Sequence, residues 1–188
     1  DTWTTKQSPN DTPNDCYLLA GGAPWMHPAI DPELNMIYWT FGNARTCVNS
    51  QDGSARPGDN LFTNSVVALD AKTGKYKWHF QSVRHDIWDR DNVHPPLLAD
   101  VMVNGVRRKL IYYGSKQGHI FVLDRTNGKP ALGVEYRPVP VDSRQASPAT
   151  QPYPAQPPFT PQCVEYQNLG SDIPGAPNRA VPNWNGYQ

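Results

Sequence analysis

The sequence predicts an all-β fold, and three observations point to it. Twenty prolines and fourteen glycines interrupt the chain too often for long helices. Nine tyrosines and six tryptophans suit pleated, half-buried surfaces. No segment sustains an apolar period of 3.6 residues, while short apolar runs recur between turn signals.

Taken in chain order, the runs read as strands. Met36–Phe41 (MIYWTF), Ser65–Leu69 (SVVAL) and Tyr76–Gln81 (YKWHFQ) come first. Val101–Lys109 (VMVNGVRRK) reads as a hairpin, because Asn104-Gly105 suits both positive-φ positions of a type I′ turn. Lys109–Tyr113 (KLIYY) and His119–Leu123 (HIFVL) follow. A repeat runs through them. Ala68–Trp78 (ALDAKTGKYKW) and Val122–Leu132 (VLDRTNGKPAL) share an Asp-x-x-x-Gly-Lys frame, with both Asp70 to Asp124 and Gly74 to Gly128 separated by 54 residues. Asp caps such a turn through its side chain and Gly takes the left-handed position. Trp78 or Leu132 then packs back on the neighbouring sheet. Ala29–Trp39 (AIDPELNMIYW) has similar spacing but lacks the Gly-Lys, and is not counted as a copy. Two copies about 50 residues apart, with about four strands each, mark β-propeller blades.

Residues 138–161 are proline-rich and must be largely extended. They read either as a flexible linker or, given Tyr153 and Phe159, as an excursion lying along a folded surface.

Composition narrows the function. Lys+Arg and Asp+Glu both number 17, so no basic field attracts nucleic acid or anionic lipid. No apolar run approaches the ~20 residues that span a bilayer. The chain starts at Asp1 without an apolar leader, which reads as a mature chain or an internal fragment. Cys16, Cys47 and Cys163 lack CxxC or CxxCH spacing, which encodes neither zinc nor covalent haem.

Candidate chemistry centres on His85–Asp91 (HDIWDRD). Asp89 and Asp91 can converge on one cation, although most acidic loops are simply solvated. Trp88 between them argues for partial burial, where carboxylates need a partner. Asn43 follows a strand in TFGNA, a turn position whose amide oxygen suits a hard cation. Trp25 sits at a backbone bend in GGAPWMHP, as a packing residue or the floor of a flat pocket. Lys116, in YYGSKQGH, lies between a strand and a glycine, where lysines are usually just exposed.

The order GGAPWMHPAIDPELNMIYWTFGN, RPGDN, ALDAKTGKYKW, HDIWDRD, SKQGHIFVLDRTNGKP resembles the quinoprotein dehydrogenases over about residues 20–132, most closely the membrane-type glucose and alcohol dehydrogenase branch. The SPATQPYP run resembles that branch's proline-rich excursion. The resemblance implies an eight-bladed propeller of W-shaped blades, of which this chain supplies about three to four. It implies blades over residues 1–137, an excursion over 138–162, and the start of a further blade or loop over 163–188. The implied cofactors are pyrroloquinoline quinone (PQQ) and Ca²⁺, or a lanthanide in its place. Trp25 then stacks under the quinone, Lys116 bonds its oxygens, Asn43 serves both cofactor and metal, Asn43, Asp89 and Asp91 share the metal's coordination shell, and Asp89 is also the general base. The substrate is a small alcohol or sugar, and electrons leave to a quinone or cytochrome outside this chain. A periplasmic setting follows, any membrane association coming through parts outside this chain. Such a setting permits oxidation, and Cys16 and Cys47, in polar loops flanking Trp25–Asn43, are expected to form a disulfide. The family's metal-binding glutamate lies upstream of the matched region, so it and the remaining blades must come from elsewhere. The competing reading is a non-catalytic propeller scaffold built on the same docking repeat. A proline-rich adaptor would account for residues 138–161 alone.

Overall fold

The structure is a computed structural model. It describes residues 22–44, 52–54, 56–92 and 94–160, and the backbone of two further strands. Cys16 and Cys47, with their expected disulfide, lie outside the described residues.

The described residues contain strands and turns and no helix. The first sheet is a four-stranded antiparallel meander of β1 (Ala29–Asp31), β2 (Met36–Thr40), β3 (Ser65–Asp70) and β4 (Tyr76–Gln81). Along β2 the side chains of Met36, Tyr38 and Thr40 are buried, alternating with less buried Ile37 and Trp39, the period-two pattern of a strand with one core face. The second sheet holds β5 (Leu97–Val103), β6 (Val106–Gly114) and β7 (Ile120–Asp124). The β5–β6 turn has Asn104 at φ 51° and Gly105 at φ 76°, the type I′ geometry expected from the sequence. A fourth strand of this sheet shrinks to one bridge, Leu123 to Pro130, because Pro130 has no N–H to continue the ladder.

The two sheets meet in one core. Met36, Tyr38, Val66, Ala68, Trp78 and Phe80 of the first pack with Ile111, Tyr113, Phe121 and Leu123 of the second. The repeated turns organise this contact. Asp70 Oδ1 accepts the Lys72 and Thr73 N–H groups, and Asp124 Oδ1 accepts that of Thr126. Gly74 and Gly128 take the left-handed conformation. The Ala29–Trp39 segment makes the same turn: Asp31 Oδ1 accepts from Glu33 and Leu34, with Asn35 at φ 53° where the repeats have Gly. Asn is among the residues that best tolerate that conformation. This turn joins β1 to β2, whereas Asp70 joins β3 to β4, so it is the repeat's turn at a different blade position.

Trp78 docks on the second sheet. Its indole lies against Gly128, where an added Cβ would stand 2.5 Å from the ring, and its Nε1 donates to Arg125 O at 3.2 Å. Leu132, its counterpart, is exposed and does not dock on a described sheet, contrary to the sequence expectation. A Cβ at Gly74 would meet nothing within 4 Å. Gly74→Ala is therefore expected to cost only the left-handed penalty, ~1–2 kcal/mol. Gly128→Ala should add an overpacking cost of ~1–3 kcal/mol against Trp78. Urea denaturation of the full-length protein reads the difference, and equal costs would rule out the Trp78 seat.

The proline-rich region folds back rather than hanging free. β8 (Val134–Pro138) pairs with β9 (Thr150–Pro154) in an antiparallel hairpin. Gln151 is buried and bonds both the N–H and the C=O of Arg84 at 2.8 Å. Phe159 N–H donates to Gly118 O at 2.9 Å. Hence the excursion lies along the loops that carry the candidate site. β10 (Cys163–Glu165) and β11 (Ala180–Pro182) form a final two-stranded ladder.

Candidate active site

The acidic loop is built around a carboxylate to which the sequence reading gave no role. Asp86 is fully buried. Its Oδ1 accepts Trp88 N–H at 2.8 Å, and its Oδ2 accepts Arg90 N–H at 2.6 Å and Asn64 Nδ2 at 2.8 Å. Arg56 Nη2 donates to the Asp86 carbonyl at 2.6 Å. Burial pushes the Asp86 carboxyl up, against the pull of these hydrogen bonds and of Arg90. His85 is also buried, and its Nδ1 donates to Gly58 O at 2.6 Å, since a carbonyl only accepts. Desolvation lowers the proton affinity of that imidazole.

With residues 88 and 90 fixed this way, Asp89 adopts φ 60° and points out of the loop. Its side chain is about half exposed, while that of Asp91 is buried. Both carboxyls face the same ammonium. Lys116 Nζ binds Asp91 Oδ2 at 2.8 Å, lies 3.4 Å from Asp89 Oδ2 and donates to Asp89 O at 3.1 Å. The lysine is presented by the turn after β6, closed by Ser115 N–H to His119 O at 3.0 Å and pinned by Phe159 at Gly118. Burial and the neighbouring Asp91 raise the Asp89 carboxyl, with Lys116 opposing. Burial would raise Asp91 too, but Lys116, the Asn43 N–H and Asp89 together bring it below the ordinary range. The pair thus divides into a fixed anion, Asp91, and a group with higher proton affinity, Asp89.

The other half of the site comes from the end of β2. Asn43 N–H donates to Asp91 Oδ1 at 2.6 Å. Segment 23–26 runs back along this strand through Gly42 N–H to Ala23 O at 3.0 Å and Trp39 Nε1 to Met26 O at 2.5 Å. That places the Trp25 indole over Gly42. Trp25 Nε1 and Asp91 Oδ1 both lie within 2.7 Å of the point a Gly42 Cβ would occupy, so only glycine allows this approach. Trp25 is 60% exposed, which leaves a flat aromatic surface uncovered. Trp25, Asp89, Asp91 and Lys116 therefore converge through their side chains, and Asn43 joins them through its backbone N–H.

Sequence reasoning passed over the buried polar layer beneath them. Arg56 Nη1 donates to Asn60 Oδ1 at 2.5 Å, Asn60 Nδ2 returns to Arg56 O, and Ser82 Oγ bonds Asn92 Oδ1 at 2.9 Å. In the sequence, RPGDN (Arg56–Asn60) is the motif that marks this layer. Among the described residues no group of three or more His, Cys, Asp or Glu could hold a metal. The two carboxylates nevertheless fit part of the shell of a hard cation, and the neighbouring Asn43 has the amide oxygen to add to it. The exposed indole and the ammonium fit a flat anion. A separate cleft of ≈500 Å³ between β4 and the excursion, lined by Asp59, Arg84 and Tyr136, has its Arg84 already bonded to Asp59 and Thr150.

A family model described as "PQQ: Glucose/ethanol/alcohol dehydrogenase, beta-propeller domain" matches residues 2–176. The quinohemoprotein alcohol dehydrogenase of Comamonas testosteroni is 44% identical over 63% of this chain and 17% of its own length. The quinoprotein glucose dehydrogenase of Escherichia coli (strain K12) is 38% identical over 71% of this chain and 17% of its own. Among solved structures, the Comamonas testosteroni quinohemoprotein alcohol dehydrogenase superposes with a TM-score of 0.56 at 39% identity, covering 72% of this chain and 20% of that one. A europium-containing methanol dehydrogenase superposes at 0.57 with 29% identity, covering 71% of this chain and 22% of that one. The chain thus spans about a fifth of the length of the relatives it matches.

Proposed function

Since the chain belongs to the PQQ-dependent glucose/ethanol/alcohol dehydrogenase β-propeller family, we propose that it carries the cofactor floor and proton-accepting loop of an enzyme that oxidises an alcohol or sugar hydroxyl. The carrying observation is the convergence of Asp89, Asp91 and Lys116 beside Trp25 at Gly42. When bound, the quinone supplies a hydride acceptor and Ca²⁺ or a lanthanide a Lewis acid that polarises it.

The chain's own residues supply the rest. Trp25 offers the apolar face on which a flat ring system rests. Lys116 presents a cation to the oxygens at its edge. Asp91, buried and ionised, holds a hard cation together with Asn43 and Asp89, and the remaining ligand comes from sequence outside this chain. Asp89 Oδ2 takes the substrate hydroxyl proton, because it is the more exposed of the two carboxyls and the one with the higher proton affinity. Electrons then pass to a quinone or cytochrome acceptor outside the chain, in a periplasmic setting.

The test uses the full-length protein freed of cofactor. Adding PQQ with Ca²⁺ or a lanthanide should give a bound-cofactor absorbance and alcohol- or sugar-dependent dye reduction. A folded protein that takes up no PQQ with either ion would instead be a non-catalytic propeller scaffold.

A further inference from the structure

Asp86 and Asn64 join the two halves of the site. Asp86 accepts from the residues on both sides of Asp89, so the Asp89 peptide is held at each end in its left-handed conformation. On the remaining face of that carboxylate, Asn64 donates its amide to Oδ2. Asn64 reaches the other half through its backbone: its N–H donates to Gly42 O at 2.9 Å, beneath Trp25 and next to Asn43. Its own carbonyl is anchored by Ser82, from N–H at 2.8 Å and from Oγ at 3.1 Å. Asn64 is itself left-handed, at φ 49°, which turns its backbone toward Gly42 while its side chain faces Asp86.

We propose that Asp86, through Asn64, is a positioning residue that sets the separation between the Asp89–Asp91 loop and the Trp25–Asn43 strand end. It is fully buried and touches neither solvent nor the candidate site, so it acts only through the loop it holds. A carboxylate is suited to this task, because three donors converge on two oxygens and no donor of its own intrudes. An amide at this position would set an NH₂ against N–H groups and leave buried donors unpaired. This inference rests on the functional reading above, which makes the spacing of Asp89, Asp91 and Asn43 matter.

The test compares the full-length wild type with Asp86→Asn. In the cofactor-free protein, tryptophan-sensitised luminescence of Tb³⁺ alone reports the Asn43, Asp89 and Asp91 oxygens. In the protein loaded with PQQ and metal, turnover reports the geometry of the base. Asp86→Asn should weaken Tb³⁺ binding ~10-fold or more and lower kcat ~10- to 100-fold, while KM stays within about threefold, because misplacement by about an ångström is costly to the chemical step. Leu123→Ala, a core change at the Asp124-turn end of β7 and away from the site, controls for lost stability and should leave both readings unchanged. If Asp86→Asn does not fold, Asn64→Gly decides. It suits the left-handed backbone and removes the side chain that reaches Asp86, and should shift both readings in the same direction by about threefold or more. A folded Asp86→Asn or Asn64→Gly with wild-type Tb³⁺ affinity and kcat overturns the inference. Wild type that binds Tb³⁺ without PQQ-dependent turnover overturns the functional reading, and the Tb³⁺ comparison still decides the positioning role. Wild type that binds no Tb³⁺ overturns both.

Discussion

Asp89→Asn in the full-length protein is expected to lower kcat ~10²–10⁴-fold while PQQ remains bound, the usual cost of losing a general base. The substitution is a clean one. Asp89 sits at φ 60°, a conformation that Asn adopts as readily as Asp, so the loop keeps its shape. The Lys116 contact to the Asp89 carbonyl involves only backbone and survives, as does the Lys116–Asp91 pair. What disappears is the proton-accepting oxygen that Asp91, ionised and held by Lys116 and the Asn43 N–H, is poorly placed to replace. Turnover at saturating substrate, measured beside the PQQ stoichiometry, checks it. Near-wild-type turnover with full cofactor occupancy would remove Asp89 from the reaction.

The second large effect is on stability. Arg125→Met should destabilise the protein by about 3–5 kcal/mol, the range for breaking a buried ion pair from one side. Arg125 Nε binds Asp31 Oδ2 at 2.6 Å with both side chains buried, and its Nη1 reaches Asp100 Oδ1 at 2.5 Å and Ala99 O at 3.0 Å. Met keeps the stem and leaves Asp31 buried without its cation. The loss should depend on pH. Burial acts to raise the Asp31 carboxyl, but the Leu34 and Glu33 N–H groups and Arg125 bring it below its ordinary value. A depressed carboxyl contributes stability that is complete above its unfolded pKa of ~3.9 and fades as pH falls through its folded value. The gap between wild type and Arg125→Met should therefore be widest near neutrality and narrow below about pH 4. Urea denaturation at pH 7 and pH 3 measures it, and a gap that does not change with pH would remove Asp31 as the partner that matters.

The strands that sequence made legible are those with local causes. MIYWTF alternates, Asn104-Gly105 demands its turn, and the Asp-Gly frame caps itself within four residues. β9 was hidden because TQPYP holds two prolines, which argue against an interior strand, yet it lies in a hairpin with only one neighbour. The Asn35 turn was passed over because the repeat was read through its glycine, although Asn fills the same conformation. In the site, Trp25, Asn43, Asp89, Asp91 and Lys116 were found through the order of motifs, and not through the chemistry of any single residue. Asp86 and Arg125 were not found, because what defines them is distant in sequence. Asn64 lies 22 residues from Asp86, and Asp31 lies 94 from Arg125. Read locally, one is a further acid in an acidic loop and the other a surface-like Arg in a turn.

The seat of Trp78 has a consequence for how the fold comes apart. The indole belongs to the first sheet, with its ring 5.6 Å from that of Tyr38, yet it is closed over by Gly128 and bonded to Arg125 of the second. If either sheet opens, the same ring loses its burial, and that loss is charged to both. The two sheets therefore cannot melt as independent foldons, and opening of the loops that carry the site is tied to the cooperative unit beneath them.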